Sequence, residues 1–345
     1  MLLSLAPLLH ACETGVNQKE TQEAGKGTQK RGIVLYPSDL ISMGASWWVE
    51  RMEQSGLNLL GIHTDTRLED LTKLKHYLES EEGKKLWNLC QEKGIDIEFE
   101  LHVLQDLLPR SLFNDHPEYF RADEKGVRRQ KHNMCFTSEK AYEVIGENIT
   151  ELCEWLKPTT HRYFFWIDDV QNSYCKCEHC SQYSESEQAL VYSNRLIEIL
   201  KKIDQRASLA HLAYCKTMPA PIKVKPLDGV FLEFAPINRD YTQSLPDGPL
   251  QHLRDNLVVF PKETAHVLEY WLDASMFARW KRDKRVEIPW KKEFGERDVK
   301  LYRDLGIDSV TTFATWIDPI YIKLFGKEET QRMIHEYGSV LNEKR

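Results

Sequence analysis

The chain has 345 residues, of which 41% are hydrophobic and 10% aromatic, so it can bury the core of one large domain or two small ones. Its 46 Lys and Arg are outnumbered by 53 Asp and Glu, giving a net charge of −7, and the basic residues are spread along the chain. This balance argues against nucleic acid as a partner, and no apolar run approaches the roughly 20 residues that a membrane-spanning helix needs.

The first twelve residues, MLLSLAPLLHAC, resemble a secretory signal, and the segment LHAC ending at Cys12 resembles the lipobox of bacterial lipoproteins. We expect residues 1–12 to be a lipoprotein signal, residues 13–31 a flexible tether and residues 32–345 the folded domain. This places the protein in the periplasm or on the cell surface, with a lipid on Cys12 as its membrane contact. The alternative is a frayed apolar tail on a cytoplasmic protein, because no Lys or Arg precedes the apolar run.

After residue 31, short apolar strands alternate with amphipathic helices, which is the pattern expected of βα units. Eight segments have the character of strands, beginning at Gly32, Leu57, Ile95, Tyr163, Ser208, Gly229, Ala265 and Ile307. Eight such units predict a (β/α)8 TIM barrel in a single domain. A doubly wound open sheet is less favoured, because the segment YPSDLISMGASWW after the first strand offers one glycine instead of a glycine-rich phosphate loop.

The longest connection lies between the third and fourth strands and includes LLPRSLFNDHPEYFRADEKGVRRQKHNMCF, residues 107–136. An insertion of this length on a barrel usually shapes the site, so we expect it to border the mouth. The helix predicted after Ser138 carries an apolar stripe that includes Ala141, Ile145 and Cys153. Cys153 is therefore predicted to be a core residue.

The active site of a TIM barrel lies at the C-terminal ends of its strands, and the predicted strands end in polar and aromatic residues. Charges at the ends of six strands indicate a site, since buried carboxylates are costly unless they are paired. Carboxylates that face one another suit carbohydrate chemistry, because one protonates the leaving oxygen while the second stabilises the reacting centre or activates water. Aromatic faces between them stack on sugar rings.

Asp168 and Asp169 are adjacent at the end of the fourth strand, and only one of two neighbouring strand residues can aim into the mouth. We expect Asp169 to be the general acid and Asp168 to orient it, with a helix N-cap as the alternative role for the pair. Either Glu233 or Glu269 is expected to be the opposing carboxylate. The residues assigned to substrate binding are His63, Asp65, Glu100, His102, Tyr214, Arg239, Tyr270 and Trp316. An anionic sugar would be accommodated by Arg67, Arg121 or Arg239, so glucuronides are retained as candidate substrates.

Three cysteines follow the Asp pair in the segment CKCEHC. Cys175, Cys177 and Cys180 supply three ligands for a structural Zn²⁺, and Cys135 or His179 supplies the fourth. Such a site would hold the loop that places Asp169, and no organic cofactor is expected. The alternatives are a disulfide in an exported protein and a set of reduced thiols.

Several ordered motifs resemble one bacterial family: HPEYFR, THRYFFWIDD, CKCEHC, SEQAL, LAHLAYC and FLEFAPINRD. They are similar to the family named domain of unknown function 4838, which is common in Bacteroides-type organisms that degrade carbohydrates. The resemblance runs from about residue 31 to near the C-terminus. It implies a barrel of the glycoside-hydrolase type, related in fold to α-glucuronidases and β-N-acetylhexosaminidases. Those hexosaminidases end the fourth strand with Asp-Glu, whereas this sequence has Asp168-Asp169 and a shorter acid.

Two hypotheses from different classes follow. The first is a glycoside hydrolase that acts on a glycan or oligosaccharide by carboxylate acid–base chemistry, and the second is a glycan-binding surface lipoprotein that uses the same mouth without hydrolysis. A zinc-supported hydrolase of another ester or amide is a weaker third hypothesis, because the sequence has no nucleophile motif such as G-x-S-x-G.

Overall fold

A computed structural model describes residues 29–64, 70–170 and 172–343 of the chain. Eight parallel strands follow one another around a closed barrel, each paired with its neighbours in sequence and the last with the first. The strands are β1 Arg31–Leu35, β2 Leu59–Ile62, β3 Asp96–His102, β4 Arg162–Trp166, β5 Ser208–Ala213, β6 Val230–Phe234, β7 His266–Glu269 and β8 Ser309–Phe313. The predicted TIM barrel is confirmed: six strands lie inside the predicted segments, and β1 and β4 begin one residue earlier than predicted.

Twelve α-helices cover the outside and the ends of the barrel within the described residues. They are α1 Pro37–Met43, α2 Ala45–Gln54, α3 Asp70–Glu79, α4 Glu81–Glu92, α5 Leu104–Leu107, α6 Glu139–Trp155, α7 Glu185–Ile203, α8 Asp247–Val259, α9 Ala274–Phe277, α10 Lys292–Asp304, α11 Pro319–Phe325 and α12 Lys327–Asn342. Between β3 and β4 the chain also forms two short 3-10 helices, so the long connection there is an ordered insertion. Cys153 is buried on α6, as its apolar stripe predicts.

The register of the strands decides which side chains face the inside of the barrel. His102 pairs with Trp166, and Glu233 pairs with His266, so each pair points to the same side of the sheet. His266 hydrogen-bonds Thr311 of the neighbouring β8 at 2.9 Å, and its ring lies 5.8 Å from that of Phe164 on β4. Because β4 and β7 are not neighbours, these side chains face the inside of the barrel. Every second residue of each strand therefore lines the interior, and the residues between them face the helices.

Gly61 on β2 makes room for a carboxylate inside the barrel. A Cβ atom at this position would lie 2.6 Å from Oε1 of Glu100 and 2.9 Å from Cγ2 of Val34. Any larger residue would have to displace one of these side chains, because contacts this short are not tolerated in a packed interior. The glycine thus allows a glutamate to be buried at this level of the barrel.

The predicted signal at residues 1–12, its lipid acceptor Cys12 and residues 13–28 of the predicted tether lie outside the described residues. So do Asp65 and Arg67, two of the residues proposed to contact substrate. None of the helices in the described part of the chain combines the length and apolarity that crossing a bilayer requires.

Candidate active site

Asp168 is fixed by the insertion between β3 and β4. Its carboxylate contacts the guanidinium of Arg110 and accepts a hydrogen bond from the backbone N–H of Asn133 at 2.6 Å. The backbone N–H of Asp168 donates in return to Oδ1 of Asn133 at 3.1 Å. The Asn133 side chain also donates to the carbonyl of Ser173 at 2.9 Å. Only 10% of the Asp168 side chain is exposed. Its contacts with Arg110 and Asn133 hold the carboxylate in place and so fix the end of β4.

Asp169 lies in the mouth, beside the hydroxyl of Tyr214 at the end of β5. Burial and then the charge of Asp169 raise the pKa of Tyr214, to which the carboxylate is hydrogen-bonded. Tyr214 therefore stays protonated, and its hydroxyl donates a hydrogen bond to the carboxylate of Asp169. The two residues line a cleft that runs between β4, β5 and α7, together with Trp166 and Tyr174.

The wall of the mouth is a continuous set of aromatic rings. The ring of His63 lies 5.7 Å from Trp166 and 5.4 Å from Phe313, measured between centroids. Tyr270 extends this set at 5.3 Å from Phe313, and His102 closes it at 4.9 Å from Trp166. The structure therefore brings together three predicted strand-end residues, and the rings form a wall of the kind that sugar-binding sites use.

Both histidines of the wall have a defined tautomer. Nδ1 of His63 lies 2.7 Å from the carbonyl of Thr64, and Nδ1 of His102 lies 2.6 Å from the carbonyl of Ile167. A carbonyl can only accept, so each Nδ1 carries a proton. Burial, and then the neighbouring His102, lower the pKa of His63 to about 4. His63 is neutral at pH 7, and its Nε2 is an acceptor for a hydroxyl group.

Glu233 and Glu100 lie in the interior below the mouth. The indole N–H of Trp166 donates to Oε2 of Glu233 at 2.8 Å, and both glutamates are fully buried. Burial raises the pKa of Glu233 well above its ordinary value. Burial and then the charge of Glu233 do the same to the pKa of Glu100. Glu233 is the inward-facing candidate for a second carboxylate, because it contacts Trp166 of the aromatic wall. Glu100 pairs with Phe164, one inward position below Trp166, so the structure does not place it beside a sugar in the mouth as predicted.

The raised pKa of Glu100 makes a prediction about stability. The unfolded chain releases this proton above about pH 4.3, whereas the folded chain keeps it, so wild-type stability falls as pH rises toward the folded pKa. Replacing Glu100 with Gln removes this dependence. The free energy of unfolding of Glu100→Gln minus that of wild type should increase with pH. The increase should reach up to about 1.4 kcal/mol per pH unit between about pH 5 and pH 7.

Urea unfolding of both proteins across this pH range measures the effect, and Glu154→Gln, at an exposed position on α6, is the matched control. A constant difference between Glu100→Gln and wild type would show that Glu100 is ionised in the folded protein.

The prediction that Glu269 opposes Asp169 is wrong. Its carboxylate faces outward toward α10, where it contacts the hydroxyl of Tyr302 and lies 3.3 Å from the guanidinium of Arg239. Arg239 also contacts Asp298 of α10 at 2.8 Å, and no part of the arginine side chain is exposed. The substrate-binding role predicted for Arg239 is wrong for the same reason, because both residues form a buried ion cluster behind the barrel wall.

Trp316 does not offer an open face to a ligand. The guanidinium groups of Arg282 and Arg285 lie 4.9 and 5.2 Å from its ring centroid, and only 5% of the residue is exposed. Its backbone has a φ of 60°, and its N–H donates to Oδ1 of Asp39 at 2.9 Å. Its predicted stacking role is wrong, since the ring packs under the loop that follows β7.

The residues of the site that sequence reasoning missed include Arg110, Asn133, Trp166 and Phe313. Arg110 and Asn133 lie in the insertion, where nothing in the local sequence indicates that they meet Asp168. Phe313 could have been found, because it ends β8 and has the inward parity of Thr311.

The predicted cysteine set comes together beside this site. The sulfur atoms of Cys135, Cys175, Cys177 and Cys180 all lie within 4.8 Å of one another. His179, the alternative fourth ligand, is exposed at the surface. The insertion supplies one sulfur and the loop after β4 supplies three, so the cluster joins the two segments that border the mouth.

Comparison with solved structures relates the fold to glycoside hydrolases. The chain is similar to a β-galactosidase from the psychrophilic Marinomonas ef1 at 11% identity and a TM-score of 0.54, covering 90% of this chain and 59% of that one. It is also similar to a β-glucanase from Saccharophagus degradans, solved in complex with cellotetraose, at 14% identity and a TM-score of 0.51, covering 91% and 87%. The chain thus spans less than two thirds of that β-galactosidase. At these identities the likeness shows the fold alone, which is a TIM barrel.

The sequence comparison gives the family. Residues 64–271, more than half of the chain, match the family described as Domain of unknown function (DUF4838). The chain belongs to this family, as its motifs predict. A search of curated proteins gives no match to the sequence.

Proposed function

We propose that this protein is a glycoside hydrolase whose acid–base carboxyl is Asp169. The observation that carries the proposal is the placement of Asp169 in the mouth, beside the Tyr214 hydroxyl and next to an aromatic wall that includes Trp166 and His63. A sugar ring that stacks on such a wall brings its glycosidic oxygen to a carboxyl, which is the arrangement that acid-assisted cleavage needs. The barrel fold of glycoside hydrolases supports the same class of reaction.

The two carboxylates at the end of β4 have separate roles in this proposal. Asp168 is bound to Arg110 and to the N–H of Asn133, and it holds the backbone that carries Asp169. Asp169 reacts in its protonated form: it gives its proton to the leaving oxygen, and the resulting carboxylate accepts the hydrogen bond from the Tyr214 hydroxyl. Glu233 is the remaining inward candidate for the second carboxylate, and it would act from beneath the Trp166 indole.

The loop after β7 bears on the class of sugar. Its segment RWKRDKR, residues 279–285, contains five basic residues and one acidic residue, and Trp280 within it is 59% exposed. A basic loop with an exposed ring at the mouth suits a glycan that contains a carboxylate or sulfate group. Uronic acid glycosides therefore belong in the first set of substrates to be tested.

Hydrolysis of glycosides by the purified protein tests the proposal. We expect one class of α- or β-linked aryl glycosides or oligosaccharides to be cleaved, in a panel that includes neutral sugars, N-acetylhexosamines and uronic acids. Release of the aglycone and the reducing sugar would be measured together. No turnover across the panel would contradict the proposal.

Glycan binding without hydrolysis is the second candidate function. The observation that favours it is the complete burial of Glu233, which separates this carboxylate from a sugar in the mouth. Thermal stabilisation by a glycan of the panel without any cleavage would support this function over the first.

A further inference from the structure

The four sulfur atoms beside the mouth have the spacing of a metal centre. The sulfur of Cys135 lies 3.7 Å from that of Cys177 and 3.9 Å from that of Cys180. In a regular tetrahedron with Zn–S bonds of about 2.3 Å, the sulfur atoms are about 3.8 Å apart. These separations are too long for a disulfide, in which the sulfur atoms lie about 2.05 Å apart. Four sulfurs around one point match the ligand set of a structural zinc ion.

Hydrogen-bond donors and a guanidinium group lie around the sulfurs. The backbone N–H of Ala122 donates to the sulfur of Cys175 at 3.3 Å, and the guanidinium of Arg128 lies 4.0 Å from the same sulfur. The hydroxyl of Thr137 lies 3.4 Å from the sulfur of Cys180. A zinc ion with four thiolates has a net charge of −2, and such donors, with a nearby cation, offset it.

A buried glutamine holds the loop that carries three of the cysteines. The side chain of Gln188, on α7, accepts from the N–H of Cys175 at 3.0 Å and donates to the carbonyls of Cys175 and Cys180, both at 3.1 Å. These bonds fix the loop's backbone from the side of α7, while the sulfurs point toward Cys135. Ligands that are held in place by a surrounding shell are typical of structural metal sites.

We propose that Cys135, Cys175, Cys177 and Cys180 bind one structural zinc ion that fastens the β3–β4 insertion to the loop after β4. All four positions are taken by thiolates, so this ion has no open position for substrate. Three of the four cysteines are buried, and Cys177 is partly exposed, which gives the ion a route from solvent.

The site lies close to the clamp on Asp168. Cys135 follows Asn133 by two residues, and Cys175 follows Ser173 by two, while Asn133 and Ser173 are themselves hydrogen-bonded. The ion would therefore hold together the two segments that the Asn133–Ser173 hydrogen bond joins, two residues beyond each of these residues. Its effect on turnover rests on the proposed function, whereas metal binding itself does not.

Metal analysis of the full-length purified protein tests the site directly. After expression with added zinc and dialysis, we expect about one zinc ion per chain, released together with its thiols when a mercurial reagent is added. Cys177→Ser, at the partly exposed ligand, should lower the zinc content and the melting temperature. Cys90→Ala, at a buried cysteine of α4 outside the cluster, should keep the full zinc content and is the matched control.

Two results would overturn the site: wild-type protein without stoichiometric zinc, or full zinc content in the double variant Cys175→Ser/Cys180→Ser. Stoichiometric iron in place of zinc would overturn the identity of the ion. If the double variant does not fold, the titration of wild-type protein with a zinc chelator decides, because it needs no substitution. Zinc content does not depend on glycosidase activity, so failure of one proposal is distinguishable from failure of the other.

Discussion

Asp169→Asn is expected to lower turnover by about 10²–10⁴-fold, because the amide has no proton to give to the leaving oxygen. The fold should be retained, since Asn has the shape of Asp and can still accept a hydrogen bond from Tyr214. The loss should depend on the leaving group. A nitrophenolate departs without protonation, so nitrophenyl glycosides should lose less activity than alkyl glycosides or oligosaccharides of the same sugar.

The measurement is kcat/KM for both kinds of substrate in the two proteins, with circular dichroism to check the fold. Asp228→Asn is the matched control, because Asp228 is fully exposed and lies just before β6, at the opposite end of the barrel. Full activity in Asp169→Asn would rule out the assignment. An equal loss on both kinds of leaving group would point to a role for Asp169 other than proton donation.

Arg239→Met is expected to cost about 3–5 kcal/mol in the free energy of unfolding, because it leaves the carboxylates of Glu269 and Asp298 buried without their cation. Even with Arg239 as its partner, burial raises the pKa of Glu269 to about 7, so ionisation of this carboxyl is less favourable than in water. The triple variant Arg239→Met/Glu269→Gln/Asp298→Asn should recover most of the loss, since it removes the uncompensated charges.

Urea unfolding at pH 8 measures these differences. Arg254→Met, at an exposed position of α8, is the matched control and should change the free energy of unfolding by no more than about 0.5 kcal/mol. A loss below about 1 kcal/mol in Arg239→Met would show that water reaches the ion cluster.

The barrel could be predicted because the sequence pattern that indicates each strand lies within a few neighbouring residues. Each strand is a short apolar run bounded by turns, and eight repeats of strand and helix close into a TIM barrel. The same alternation of side chains carried a signal about the site that the sequence interpretation did not use. Glu269 and Tyr270 are neighbours on β7, so both cannot face inward, and the ring of Tyr270 packs against Phe313. Counting parity would have excluded one of these two predicted site residues, and the structure shows that the excluded one is Glu269.

The depth of a residue inside the barrel, and contacts between residues far apart in the sequence, were harder to predict. Glu100 has the same parity as His102 but lies one layer deeper, and only the closed barrel shows that this layer is buried. Arg110 meets Asp168 across 58 residues of sequence, and no local pattern encodes that contact. The cysteines were the exception: three of them are close together in the sequence, the fourth lies at the end of the insertion, and the four sulfurs lie within 4.8 Å of one another.

The insertion between β3 and β4 shares its anchoring points with the loop after β4, through Arg110, Asn133 and Cys135. Neither segment can take its final shape until the other is in place, so the two should fold late and together, after the barrel has brought their ends close. In protein engineering they form one exchangeable module. A graft of either segment alone onto a related barrel would leave half of its anchors without partners, whereas a joint transplant would carry both sets of anchors.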